Sequence, residues 1–184
     1  SGHGVGSGLV MAMTRTILHI FCKKEKSPAR VCAVINDYLF HNTASNFFVT
    51  MFYGMLEIKT GKITYANAGH NQGVIYRDNK SMVMPAGGIG LGAVENETFE
   101  NFTKDEVITL KDQDVLIHAT DGIEEAMDDS REEFGRERLY QAIRKAPSKN
   151  PQDIIESINK SVKRFSGKAP QLDDITMFAL KKGK

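Results

Sequence analysis

Apolar residues at Val5, Leu9, Val10, Met13, Ile17, Ile20 and Phe21 recur at steps of three and four, which predicts a helix running on from the glycine-rich opening. A charged break over residues 23–26 separates it from a second helix. There Ser27 is the expected N-cap and Pro28 the first-turn proline, and the helix carries Val31, Val34, Ile35, Tyr38 and Leu39. This helix is expected to end near His41 and Asn42. From Asn46 the composition shifts to β-branched and aromatic residues. Residues 47–58 and 63–67 read as a hairpin across Lys59-Thr60-Gly61-Lys62, and residues 73–77 and 81–84 as another across Asp78-Asn79-Lys80. Residues 107–110 and 115–120 read as a further pair across Lys111-Asp112-Gln113-Asp114. Beyond Asp121 the helical period returns, over residues 124–127, about 136–145, and from Asn150-Pro151 to Phe165, before a last strand at about 175–180. The order is helices, antiparallel strands, helices and a returning strand. An α+β layered domain is therefore expected rather than a doubly wound sheet, and no solenoid period is present.

Composition narrows the function classes. A chain of 184 residues suits one domain. Its 24 Lys+Arg against 23 Asp+Glu leave a formal charge of +1, so no global field favours a nucleic-acid backbone or an anionic membrane. The charge is unevenly placed, however. Residues 121–140 carry eight acidic and three basic side chains, and residues 141–184 carry ten basic and four acidic. Solvated helix faces are the ordinary cause, but the acidic stretch opens where the chemistry is most suggestive. Cys22 and Cys32 lack the Cys-x-x-Cys spacing of redox or zinc sites and read as small core residues of a reducing, cytoplasmic compartment. No apolar run approaches the roughly 20 residues of a membrane helix, and the opening has no signal-peptide pattern. The chain opens inside a glycine-rich loop without a lead-in strand, as if cut from something longer.

Several motifs carry candidate chemistry. Thr120-Asp121-Gly122 follows the apolar run Val115-Leu116-Ile117-His118-Ala119, which points a carboxylate out of the core at a strand end. Gln171-Leu172-Asp173-Asp174-Ile175-Thr176 places two more acids at the start of the last strand. If that strand lies beside the one ending at Asp121, three carboxyl groups converge and repel one another, and divalent cations are the natural remedy. Taken singly, each Asp is an ordinary strand-end turn former. The opening Ser1-Gly2-His3-Gly4-Val5-Gly6-Ser7-Gly8 suits close approach to an anion but lacks the Gly-Lys-Ser/Thr of a Walker loop. Gly88-Ile89-Gly90-Leu91-Gly92-Ala93 imitates a dinucleotide fingerprint, yet no β-α-β unit surrounds it and residues 95–98 open no helical stripe. A structural glycine loop is expected there. His70 reads as a hydrogen-bonding turn residue with a catalytic or ligand role as the alternative, while His19, His41 and His118 read as structural.

Together, Ser1-Gly2-His3-Gly4, Ala66-Asn67-Ala68-Gly69-His70-Asn71, Gly90-Leu91-Gly92, Ala119-Thr120-Asp121-Gly122-Ile123-Glu124-Glu125-Ala126, Phe134-Gly135 and Asp173-Asp174-Ile175-Thr176 resemble the metal-dependent type 2C protein phosphatases. The order and spacing are most similar to the bacterial SpoIIE/RsbU branch, across essentially the whole chain. The resemblance implies an α-β-β-α sandwich of two antiparallel sheets flanked by helices, with a binuclear Mn²⁺ or Mg²⁺ site. It implies hydrolysis of phosphoserine or phosphothreonine by a metal-bound water, without a phosphoenzyme. By motif, Asp121 and Asp173 would be metal ligands, Asp174 a neighbouring acid, and His3 a proton donor to the leaving oxygen. The implied substrate is a phosphorylated STAS-domain antagonist of an anti-sigma factor, with a sensor or receiver domain preceding the phosphatase.

The family also places a metal-bridging Asp, in an Asp-Val pair, immediately before Ser-Gly-His-Gly, and further acidic strands upstream. The expectation is therefore a single phosphatase domain over residues 1–184, incomplete at its N-terminus, with weak metal binding and little activity on its own. An open sheet edge would also invite a homodimer. A non-catalytic module that binds a STAS-type partner is the alternative from another class.

Overall fold

The computed structural model describes residues 4–85 and 87–183. Two helices, Val5–Phe21 (α1) and Pro28–Asn42 (α2), precede four strands: Met51–Glu57 (β1), Lys62–Ala68 (β2), Val74–Arg77 (β3) and Lys80–Val83 (β4). Helix Asn96–Phe102 (α3) leads to strands Glu106–Thr109 (β5) and Val115–Ala119 (β6), and a 3-10 turn follows at Asp121–Ile123. Helices Gly135–Arg144 (α4) and Pro151–Ser166 (α5) come before the last strand, Met177–Lys181 (β7). The described chain divides into two compact units, one holding α1, α2, β1, β2, α3 and β5, the other holding β3, β4, β6, α4, α5 and β7.

In the first unit, β1, β2 and β5 form an antiparallel sheet in that order. The capping chemistry of α2 is as the sequence suggests: the Ser27 hydroxyl accepts from the Arg30 N–H at 3.1 Å, and Pro28 occupies the first turn. The Asp105 carboxylate satisfies a further free donor, the Ala29 N–H, at 2.7 Å. Val31, Ile35 and Leu39, at four-residue steps on α2, are buried with Ala66 and Ala68 of β2 and with Leu91 and Phe99. Each such aliphatic side chain stabilises the unit by about 1.5–3 kcal/mol. Cys32 is fully buried in the same cluster. Desolvation, helped by the nearby Asp105 charge, pushes its thiol up to about 12. Native protein treated with a thiol reagent at pH 8 is therefore expected to react at the half-buried Cys22 only, with Cys32 reacting after unfolding. Two fast equivalents in the native state would contradict this packing.

In the second unit, four strands form an antiparallel sheet in the order β4-β3-β6-β7. Helix α5 starts from an Asn150 cap that accepts from the Gln152 N–H at 3.0 Å, with Pro151 in the first turn. Its Ile154, Ile158 and Val162 form a four-residue stripe that is buried with Leu139 and Ile143 of α4 and Val115 and Ile117 of β6. Asp114 closes the turn before β6. Its carboxylate takes the Lys111 N–H at 2.7 Å and the Arg77 Nε–H at 3.0 Å, and it is 2% exposed.

Three expectations are corrected. Residues 107–110 and 115–120 do not pair with each other: β5 pairs with β2, and β6 lies between β3 and β7. The turn chemistry at Lys111–Asp114 is real, but a tight turn has the same local composition whether it closes a hairpin or redirects the chain to another sheet. The segment after Glu95 is a helix, α3, although it shows no extended stripe; at seven residues it is too short for periodicity to reveal, and Phe99 alone is buried. The helical segment expected over residues 124–127 is instead the 3-10 turn at Asp121–Ile123, shifted toward the strand end.

Candidate active site

All five residues of β6 except the last are buried, so the strand carries the chain through the core and releases it at Thr120. β7 runs antiparallel beside it, with Ala119 opposite Met177. The pairing continues past the strand ends through one side chain. The Thr120 N–H donates to the Thr176 carbonyl at 2.9 Å, and the Thr120 hydroxyl donates to the Asp174 carbonyl at 3.0 Å while accepting from the Thr176 N–H at 3.0 Å. Thr120 thus clasps the 173–176 segment against the start of the 121–125 turn.

Gly122 permits that approach. A Cβ built there would lie 2.8 Å from the Asp174 carbonyl oxygen and 3.4 Å from that of Asp173, and its backbone is not left-handed, so the constraint is space alone. Gly122→Ala is expected to push the 173–174 backbone away, lowering stability by about 1–2 kcal/mol. A urea titration reads the change, and an unchanged midpoint would show that this contact does no positioning.

Asp121, Asp173 and Asp174 are all exposed, and none has a cationic partner among the described residues. The Asp173 carboxylate accepts from the Asp174 N–H at 2.7 Å, and Gln171 Nε2 donates to the Asp173 carbonyl at 2.8 Å. The carbonyl of Asp121 caps the turn by accepting from the Glu125 N–H at 2.9 Å. Arg136 is engaged elsewhere: its Nε lies 3.3 Å from Glu124 Oε2 and its Nη1 donates to Gln72 at 3.1 Å. The Glu125 carboxyl is held above the usual range, first by desolvation and then by Asp121, Glu133, Asp173 and Glu124. Asp121 and Asp173 therefore both act on one neighbouring group, and the local field is negative. Among the described residues no three His, Cys, Asp or Glu side chains are grouped closely enough to hold a metal ion.

A cavity of about 550 Å³ opens beside these acids. Its walls are the 122–133 segment with Glu125 and Glu133, the α5 face carrying Asn159, Val162, Lys163 and Ser166, and the 167–175 segment with Asp173. One wall is a small hairpin in which Met127 bridges Glu133 and the Asp128 carboxylate takes the Ser130 and Glu132 N–H groups at 2.8 and 2.9 Å.

The remaining candidates are structural in what they touch. The Asn67 side chain and the His70 backbone exchange hydrogen bonds at 2.7 and 2.8 Å, and the His70 ring nitrogen Nδ1 lies 3.1 Å from the Thr50 hydroxyl. Gly88, at φ 118°, sits so close to the Asn67 carbonyl that a Cβ would come within 1.8 Å of it, which accounts for that glycine without a nucleotide. His3 lies outside the described residues. Sequence reading missed Thr120 as the clasp, and Glu125 and Glu133 as further acids. The Thr-Asp-Gly-Ile-Glu-Glu string held two of these three, but only the fold shows what each one faces.

A family model described as stage II sporulation protein E (SpoIIE) matches residues 1–182. Protein IcfG of Synechocystis sp. is 26% identical over 213 residues, covering 96% of this chain and 32% of that protein. Phosphoserine phosphatase RsbU of Bacillus subtilis is 25% identical over 186 residues, covering 98% of this chain and 53% of RsbU. The chain thus spans between a third and about half the length of these relatives. Among solved structures, the SiaA-PP2C domain of Pseudomonas aeruginosa superposes with a TM-score of 0.77 at 19% identity, over 98% of this chain and 72% of that one. At that identity the likeness is one of fold, a PP2C-type arrangement with two antiparallel sheets flanked by helices.

Proposed function

We propose, on the premise that this chain belongs to the stage II sporulation protein E (SpoIIE) family, that it hydrolyses phosphoserine or phosphothreonine on a regulatory protein in a Mn²⁺- or Mg²⁺-dependent reaction. The observation that carries the reading is the clasp at Thr120, which brings the Asp121 turn and the Asp173-Asp174 segment together from positions more than 50 residues apart. The phosphorylated partner is a STAS-domain protein, and a sensor or receiver domain in the longer protein regulates the reaction.

The donor set fits hard cations in kind. Asp121 and Asp173 offer exposed carboxylate oxygens with no cation of their own among the described residues, and Mg²⁺ is commonly held by one or two carboxylates with water completing its shell. Asp174 stands beside them as an accessory acid, with its carbonyl committed to Thr120. When bound, such cations supply Lewis-acid neutralisation of the phosphoryl charge. The need for it is electrostatic: a phosphoseryl group carrying about −1.5 to −2 charges would be repelled by bare carboxylates. The chain's own contribution is placement. Thr120 and Gly122 hold the two acidic segments in register, and His3 serves as proton donor to the departing seryl oxygen.

The test is phosphate release from a phosphorylated STAS-domain protein by the full-length protein, with Mn²⁺ titrated in and EDTA as control. Release that saturates with Mn²⁺ supports the reading, and none at any Mn²⁺ or Mg²⁺ concentration overturns it. A second reading, a non-catalytic module for the same partner, draws on the lack of a three-ligand group among the described residues. It predicts STAS binding with no Mn²⁺ heat in calorimetry.

A further inference from the structure

The cavity beside the acidic segments has a chemistry of its own. We propose that it receives a basic side chain of the phosphoprotein, arginine or lysine, close to the phosphorylated serine, so that Glu125 and Glu133 select substrates with a positive flank. This rests on the phosphatase reading above and names the substrate class for it.

Volume is the first argument. About 550 Å³ falls in the range of ordinary ligand pockets, and it lies within one unit of the fold, between the 122–133 segment, the end of α5 and the 167–175 segment. The second is the lining. Met127, Val162 and Leu172 present apolar surface to the cavity. Thioether and branched aliphatic surface of this kind takes up methylene chains. The third is charge. Glu125 and Glu133 line the cavity without an ion-pair partner among the described residues, whereas Glu124, Glu132 and Glu137 nearby each hold an arginine. Glu125 and Glu133 thus remain open to a cationic side chain that enters the cavity, unlike these paired neighbours.

Lys163 is the one cation among the lining residues. It stands on the α5 wall, while the lining acids are Glu125 and Glu133 on the 122–133 segment and Asp173 on the 167–175 segment. An occupant with a long aliphatic stem and a cationic head satisfies the floor and the acidic side together. An acidic or purely apolar side chain leaves Glu125 and Glu133 unpaired, and charge complementarity of this sort sets specificity more than overall affinity.

The experiment compares, in the full-length protein with Mn²⁺, phosphoserine peptides identical except for arginine, norleucine or glutamate placed in turn at the three positions on either side of the phosphoserine. At low salt the best arginine peptide is expected to show a KM about fivefold below its norleucine counterpart, with glutamate the poorest. The ratio of arginine to norleucine kcat/KM, taken within each variant, should fall below about twofold in Glu133→Gln and rise in Lys163→Gln, since each removes one sign of charge. Glu133 and Lys163 are both exposed, so neither change threatens folding. Equal KM for the three peptides, or an arginine preference that survives Glu133→Gln, overturns the proposal. Fluorescence anisotropy of labelled, unphosphorylated versions in EDTA reads the same ratio without turnover. Arginine preference there with no phosphate release would sink the phosphatase reading and keep the basic-side-chain site, and release without preference would do the reverse.

Discussion

Replacing Asp121 with Asn in the full-length protein is expected to lower Mn²⁺-dependent phosphate release by about 100-fold or more, and Asp173→Asn by a similar factor. The amide keeps the volume and removes the anionic oxygen a hard cation requires. On the proposed assignment of both carboxylates to one site, the double variant should be little worse than either single, as expected of groups that act as a unit. Folding should survive. Both side chains are exposed and unpaired with cations among the described residues, and their neighbour Glu125 already feels them as repulsive charges. Removing either charge is expected to move the Glu125 carboxyl back toward its ordinary range, a shift that a carboxylate-detected titration can follow with no metal present. Undiminished turnover in both single variants, at unchanged Mn²⁺ affinity, would end the assignment of these residues as ligands.

The second large effect lies in the structural core of the same unit. Asp114 is buried, Arg77 is four-fifths buried, and the pair is bidentate, with Arg77 Nη2 2.5 Å from Asp114 Oδ2 and Nε 3.1 Å from Oδ1. Asp114→Ala removes the carboxylate paired with a largely buried guanidinium and is expected to cost about 3–5 kcal/mol, read as a lower urea midpoint. Replacing both partners with apolar residues of similar size, Arg77→Met with Asp114→Leu, should cost much less, because no buried charge is then left alone. The pH dependence has a definite sign. Burial works to raise the Asp114 pKa, but the Arg77 hydrogen bonds and the Lys111 N–H outweigh it and leave the group below its ordinary value. A carboxylate depressed in this way stabilises the fold above its unfolded pKa of about 4, and the contribution disappears as pH falls through the folded value. The gap between wild type and Asp114→Asn should therefore be full at pH 7 and close progressively below about pH 4. A gap that stays constant down to pH 2 would show that the pair's charge contributes nothing.

Most helices were legible because their signals are local. The Ser27-Pro28 and Asn150-Pro151 starts carry their capping atoms within two or three residues, and the stripes on α2 and α5 repeat often enough to read. The hairpins β1–β2 and β3–β4 were legible for the same reason, with turn residues between runs of β formers. Helix α3 was not, since seven residues hold only one buried anchor. The partners of β5 and β6 were not, because a strand's own residues state that it has a buried face and do not state which distant strand covers its hydrogen-bonding edge.

The candidate site divides along the same line. The residue types were readable in sequence: an acid after an apolar strand, a glycine behind it, and two more acids near the other terminus, in an order resembling one family of phosphatases. What only the tertiary structure decided was that Thr120 holds the 173–176 segment by backbone and hydroxyl hydrogen bonds, that Gly122 leaves room for it, and that Glu125 and Glu133 face a cavity rather than a partner. The physical reason is that backbone donors and acceptors released at a strand end must be satisfied by whatever segment packs alongside. That segment lies more than 50 residues away, beyond the reach of any local propensity or periodicity.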